Sequence, residues 1–386
     1  MDLSYIINQL GEDRAKYENA VVPPIYQTAQ FVHDTVADMR AHVADEFANH
    51  VYTRGNNPTT EILRAKLAAL EGAESALVFG SGAAAMAAGV LASVRAGDHV
   101  VSVAKPYSWT KTLLRKFLPR FGVAVDFVDA TDTQVVEDTL RRETKLIVLE
   151  SPNSLTYEQQ DLAAIAKLAQ ARGIRTICDN SYATPLGQSP IALGIDLVAH
   201  SGTKYLNGHS DVLVGVLCGS EALMREVFAG PFMTLGAILA PHDAWLVLRG
   251  LRTFPARMAQ VAETTSHVVA FLAKQPKVRR LYYPQHATYE QGALTRTQLK
   301  ASNGLLSIEL DCDLAGVDRF CDALQRFEMA ASWGGYESLC FPVAGVRDWR
   351  GYENQATVPV TLVRLSIGLE SADVLIADIA QALAHV

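Results

Sequence analysis

From about residue 60 onward, short and almost wholly apolar runs alternate with amphipathic stretches, and this limits the fold more than any other feature. The apolar runs lie at 76–79, 99–103, 123–128, 145–149, 175–178 and 196–199. Helical periodicity fills most of the gaps, as at 161–171, and a run at 61–70 after Thr59 carries apolar residues at helical spacing up to a stop at Gly72. Strands without polar alternation are buried on both faces. The pattern therefore predicts an α/β fold with a mostly parallel sheet covered by helices on either side. A long helical pattern spans 246–273; runs at 305–310 and 363–367, with helices near 317–327 and from 371, predict a smaller α/β unit. Residues 1–55 are irregular around Pro23-Pro24 and read as an arm that packs on something else. The expected organisation is an arm over 1–55, a large domain over 56–246 and a C-terminal domain over 247–386.

Composition excludes several classes. The 386 residues are 49% hydrophobic and 19% charged, enough for a large core, and the formal net charge of −7 comes with no basic run. No nucleic-acid surface is expected from that balance. The first twenty residues lack the basic, apolar and small-residue succession of a secretory signal, and no apolar run reaches membrane-spanning length. Five scattered cysteines without a C-x-x-C pair read as reduced thiols of a cytoplasmic protein, and the ten histidines show no ligand spacing for a metal.

Three segments carry chemistry. In Ser201-Gly202-Thr203-Lys204, a lysine follows a strand between hydroxyl residues and precedes the turn Gly208-His209-Ser210-Asp211. A buried amine of lowered pKa can form a Schiff base with an aldehyde, and neighbouring hydroxyls can hold a phosphate. Asp179, followed by Asn180, closes an earlier strand, where a carboxylate can keep a pyridine-ring nitrogen protonated. Gly80-Ser81-Gly82-Ala83 forms a small-residue turn from strand to helix, a start that can cradle a phosphate. No third glycine completes the nicotinamide fingerprint, so a dehydrogenase fits poorly. Taken singly, each segment also has a plain reading as a surface lysine, a turn-capping Asp or a tight turn.

Taken together and in order, these segments resemble the Cys/Met-metabolism family of pyridoxal-phosphate (PLP) enzymes. The likeness extends over Val22-Pro23-Pro24, Tyr52-Thr53-Arg54-Gly55-Asn56-Asn57-Pro58, Ser81-Gly82, Glu150-Ser151-Pro152, Asp179-Asn180, Ser201 to Lys204, Ser332-Trp333-Gly334-Gly335-Tyr336-Glu337 and Arg364-Leu365-Ser366. The resemblance implies the aspartate-aminotransferase-like fold of PLP-dependent transferases (fold type I). It implies Lys204 as the Schiff-base lysine and proton shuttle, Asp179 on the pyridinium nitrogen, and Gly82, Ala83, Ser201 and Thr203 around the phosphate. Tyr107 would stack on the cofactor ring and take part in proton transfer. Arg364, helped by the backbone at Ser332 and Trp333, would bind the substrate α-carboxylate. Tyr52 and Arg54 would reach the phosphate of a neighbouring subunit, which implies a homotetramer built from two active dimers. The substrate would be a small-molecule amino acid.

Within the family, Trp333 and Ser154 resemble the bacterial cystathionine β-lyase form. Two departures are Gly55, where some β-lyases carry a second arginine, and Tyr107-Ser108-Trp109 in place of Tyr-Gly-Gly. The expected activity is β-elimination of L-cystathionine to homocysteine, pyruvate and ammonia. Cystathionine γ-lyase, methionine γ-lyase, and γ-synthase or O-acyl-homoserine sulfhydrylase activity are the alternatives. A non-catalytic binding protein is the remote one, since Lys204, Asp179 and Arg364 are all present.

Overall fold

Helix Pro58–Glu71 shows how local sequence sets the large unit. The Asn57 side chain accepts from the Thr59 N–H at 2.9 Å, Pro58 takes the first turn, and Gly72 ends the helix at φ 75°. The cap is thus two residues before Thr59. This helix packs on the first of seven strands: β1 (Ser75–Phe79), β2 (His99–Val103), β3 (Ala124–Val128), β4 (Thr144–Glu150), β5 (Arg175–Asp179), β6 (Leu197–Ser201) and β7 (Gly215–Gly219). In the computed structural model, which describes residues 1–346 and 358–386, they form one sheet in the order β1-β7-β6-β5-β4-β2-β3.

Six of these strands match the predicted runs to within one or two residues. The seventh, β7, runs antiparallel between β1 and β6 and makes the sheet mixed. Five buried residues, the first and last of them glycines, leave no periodicity to read, and only the pairing reveals the direction. Every residue of β2 and all but one of β4 is buried, as expected for a sheet covered on both faces.

Helix Pro241–Leu272 packs against both helix Pro58–Glu71 and the last helix, Ala372–Leu383, so it ties the two units together. A division after residue 246 falls inside it. The second unit is a five-stranded sheet of β8 (Val278–Tyr282), β9 (Leu305–Leu310), β10 (Glu328–Met329), β11 (Leu339–Pro342) and β12 (Leu362–Ser366), ordered β10-β11-β12-β9-β8. Here β12 is central and fully buried, which fixes Arg364 opposite Phe341 on one side and Ser307 on the other.

The arm is less irregular than its sequence suggests and packs first on its own chain. Ile6 and Ile7 are buried in helix Leu3–Asn8, and their carbonyls accept from Lys66 Nζ at 3.0 and 2.9 Å. Glu12 stands 3.1 Å from the same amine, so an otherwise costly buried cation is fully partnered.

Candidate active site

Because β4, β5 and β6 are parallel neighbours, their last residues, Glu150, Asp179 and Ser201, come together at one edge of the sheet. They line a cavity of about 370 Å³. Helix Gly82–Ser93 begins at the same edge, with the Ser81 hydroxyl accepting from Ala84 N at 3.1 Å. A Cβ on Gly82 would lie 2.8 Å from Ser201 Cα, so only glycine lets the helix start press against the end of β6. The first-turn N–H groups of Gly82 and Ala83 have no intrahelical acceptor by geometry, and both residues line the cavity. Thr203 lines it too, its hydroxyl bonded to Val214. Ser181 locks β5 to β6: its N–H donates to Asp179 Oδ1 at 2.9 Å, and its hydroxyl accepts from Ser201 N at 2.6 Å.

Lys204 follows one turn after β6. Its Nζ donates to the Ser332 hydroxyl and stands 5.5 Å from the centre of the Trp333 ring, which packs on Tyr205. Burial, followed by the Arg364 guanidinium, pulls this amine down to about 8. More of it is therefore unprotonated, and nucleophilic, at neutral pH than of an ordinary lysine. Ser332 sits at φ 86°, in the left-handed region that a non-glycine residue seldom occupies. That conformation turns its carbonyl to Arg364 Nη2 at 3.1 Å while its hydroxyl meets Lys204. Arg364 also donates to Ser154 O at 3.2 Å, and its guanidinium lies 4.8 Å over the Phe341 ring. A buried, oriented guanidinium fork suits a carboxylate.

Ten of the twelve residues singled out from sequence, Lys204, Asp179, Gly82, Ala83, Ser201, Thr203, Tyr107, Arg364, Ser332 and Trp333, share this cavity. Tyr52 and Arg54 do not line it. They pair with each other, the guanidinium 5.5 Å from the ring centre, and Tyr52 is 44% exposed. Three contributors carried no predicted role: Ser181, Phe341 and Glu150. The last had a legible signal, an acid closing an apolar strand as Asp179 does.

The donor set fits PLP. A helix start and hydroxyls can take the phosphate, an acid at a strand end can face a ring nitrogen, and an amine of lowered pKa can meet the aldehyde. Among the described residues, no group of three or more His, Cys, Asp or Glu could hold a metal ion, and no helix is long and apolar enough to cross a membrane.

Comparison with known proteins points the same way. The family model described as Cys/Met metabolism PLP-dependent enzyme matches residues 5–384. The chain is 39% identical to L-methionine gamma-lyase of Pseudomonas putida, covering 97% of this chain and 95% of that one. It is 34% identical to the chloroplastic cystathionine gamma-synthase 1 of Arabidopsis thaliana, over 95% of this chain and 65% of that one. The crystal structure of metB from Corynebacterium glutamicum matches with a TM-score of 0.92 at 30% identity, covering 100% of this chain and 98% of that chain.

Proposed function

The chain belongs to the Cys/Met metabolism PLP-dependent enzyme family, and on that premise we propose that it is a carbon–sulfur lyase cleaving L-cystathionine, or a related cysteine S-conjugate, by β-elimination. Water is consumed, and homocysteine, pyruvate and ammonia are released. When bound, PLP supplies an electron sink for the charge that develops at Cα.

The protein's own groups do the rest. Arg364, braced by Ser154, Ser332 and Phe341, holds the α-carboxylate and so fixes the direction of the Cα–H bond. The Lys204 amine removes the Cα proton, and the Ser332 hydroxyl keeps that amine in place. As the Cβ–S bond breaks, the departing sulfur takes a proton from Lys204 or from the Tyr107 hydroxyl at the cavity wall.

The observation that carries the β reading is Trp333. Its indole centre lies 5.5 Å from Lys204 Nζ, the amine that the Ser332 hydroxyl also holds. β-Elimination needs proton removal at Cα alone, whereas γ-elimination needs a second removal at Cβ. A flanked amine suits one station better than two. γ-Elimination is the second reading, supported by the 39% identity to an L-methionine gamma-lyase. Incubation with L-cystathionine and mass spectrometry of the products separates them: pyruvate with homocysteine is expected, and 2-oxobutyrate with cysteine overturns the β assignment.

The roles of Tyr52 and Arg54 belong to the same proposal. Outside the cavity of their own chain and partly exposed, they are available to the phosphate of a neighbouring subunit in an active dimer, two of which make the tetramer.

A further inference from the structure

Glu150 is the buried acid at this site to which neither the β nor the γ reading assigns a task. It closes β4, directly opposite Asp179 in the register of β4 with β5. It is 6% exposed, and one of its carboxyl oxygens accepts the main-chain N–H of Tyr107, the residue at which the chain turns into helix Ser108–Thr112. The backbone at Ser154 bonds the same carboxyl. Glu150 therefore links three pieces of the cavity wall: the Asp179 strand, the Tyr107 turn and the 151–154 segment. No salt bridge to it is present among the described residues, so what holds it is main-chain N–H groups rather than a cation.

We propose that Glu150 is a positioning residue whose carboxyl clamps the Tyr107 amide and thereby sets where the Tyr107 ring stands against the bound cofactor. The proposal rests on the reading of Tyr107 as the stacking residue. It does not depend on which carbon–sulfur bond is cleaved. Burial, followed by the Asp179 carboxylate, pushes the Glu150 carboxyl up to about 8. That direction favours the uncharged acid, which holds the amide without setting a second negative charge beside Asp179. The clamp depends on reach and an acceptor oxygen, and charge is secondary.

Two variants separate these properties. Glu150→Gln keeps the length and an acceptor oxygen but can carry no charge; Glu150→Asp keeps an acid but is one methylene too short for the amide. Cofactor loss from the holoenzyme after dilution, followed by visible absorbance, reads the outcome without any substrate. Glu150→Asp is expected to speed loss about tenfold and Glu150→Gln less than about threefold, the range of a single coupled contact. In a Tyr107→Ala background, Glu150→Asp is expected to add less than about twofold, because the ring through which it acts is gone. A large effect of Gln with a small one of Asp, or equal effects of Glu150→Asp in both backgrounds, overturns the proposal. A failure of the β reading in the product assay leaves this result standing.

Discussion

The strand ends of the large sheet and the N-terminal arm each hold polar residues expected to touch one cofactor, and they are organised in opposite ways. At the strand ends, Glu150, Asp179 and Ser201 are set side by side by sheet register; Glu150 accepts from the Tyr107 N–H, Asp179 from the Ser181 N–H, and the Ser201 N–H donates to the Ser181 hydroxyl. In the arm, the side chains of Tyr52 and Arg54 lie against each other, and Ile6, Ile7 and Glu12 enclose Lys66 at a separate anchor. A site assembled by register is complete within one chain. On the proposed reading, a site element carried on an arm gains its partners only through assembly, so the two regions are expected to fail differently when altered.

The largest expected effect is at the strand ends. Lys204→Ala removes the proposed nucleophile and proton carrier, and keto-acid release is expected to fall by about 10³- to 10⁴-fold while the fold survives. Residual activity near that of the unaltered enzyme would break the comparison at its stronger side. Next comes the anchor of the arm. Lys66→Met takes the nearest cation from buried Glu12, which keeps Arg252 and Arg14 at 3.5 and 3.6 Å, and strips the Ile6 and Ile7 carbonyls of their donor; a loss of about 1–3 kcal/mol is expected in denaturant unfolding. Unchanged stability would mean the first residues are not held as described.

Arg364→Lys keeps a charge but loses the planar fork, so KM for the amino acid is expected to rise about 10- to 100-fold with a smaller change in kcat. A pure kcat effect would remove Arg364 from carboxylate binding. The smallest effect sharpens the comparison most. Arg54→Ala is expected to weaken cofactor retention about tenfold, the order of one charge-assisted contact. Mixing it with Lys204→Ala protomers is expected to restore activity, because one site of a mixed dimer then keeps both residues. No recovery on mixing would place Arg54 at work within its own chain or nowhere.

Much of this was legible in the sequence because its causes are local. Apolar runs became strands since a strand buried on both faces has no other composition to choose from, and the residues just past them, Asp179 and Ser201 to Lys204, fell at one edge because parallel strands end together. Strand β7 was hidden because its direction depends on pairing between β1 and β6, which short apolar runs do not encode. The same holds for Ser332: its left-handed backbone, which brings Lys204 of one unit and Arg364 of the other to one residue, is visible only once the chain is folded. Ser181 and Phe341 act through the backbone of β6 and the face of Arg364, relations that exist only once the sheets have formed.

Borohydride reduction of the holoenzyme followed by peptide mapping tests the central claim, that chemistry is anchored where the strands end, most directly. The pyridoxyl group is expected on the peptide that carries Lys204. The same group on Lys105, the other lysine lining the cavity, would contradict it.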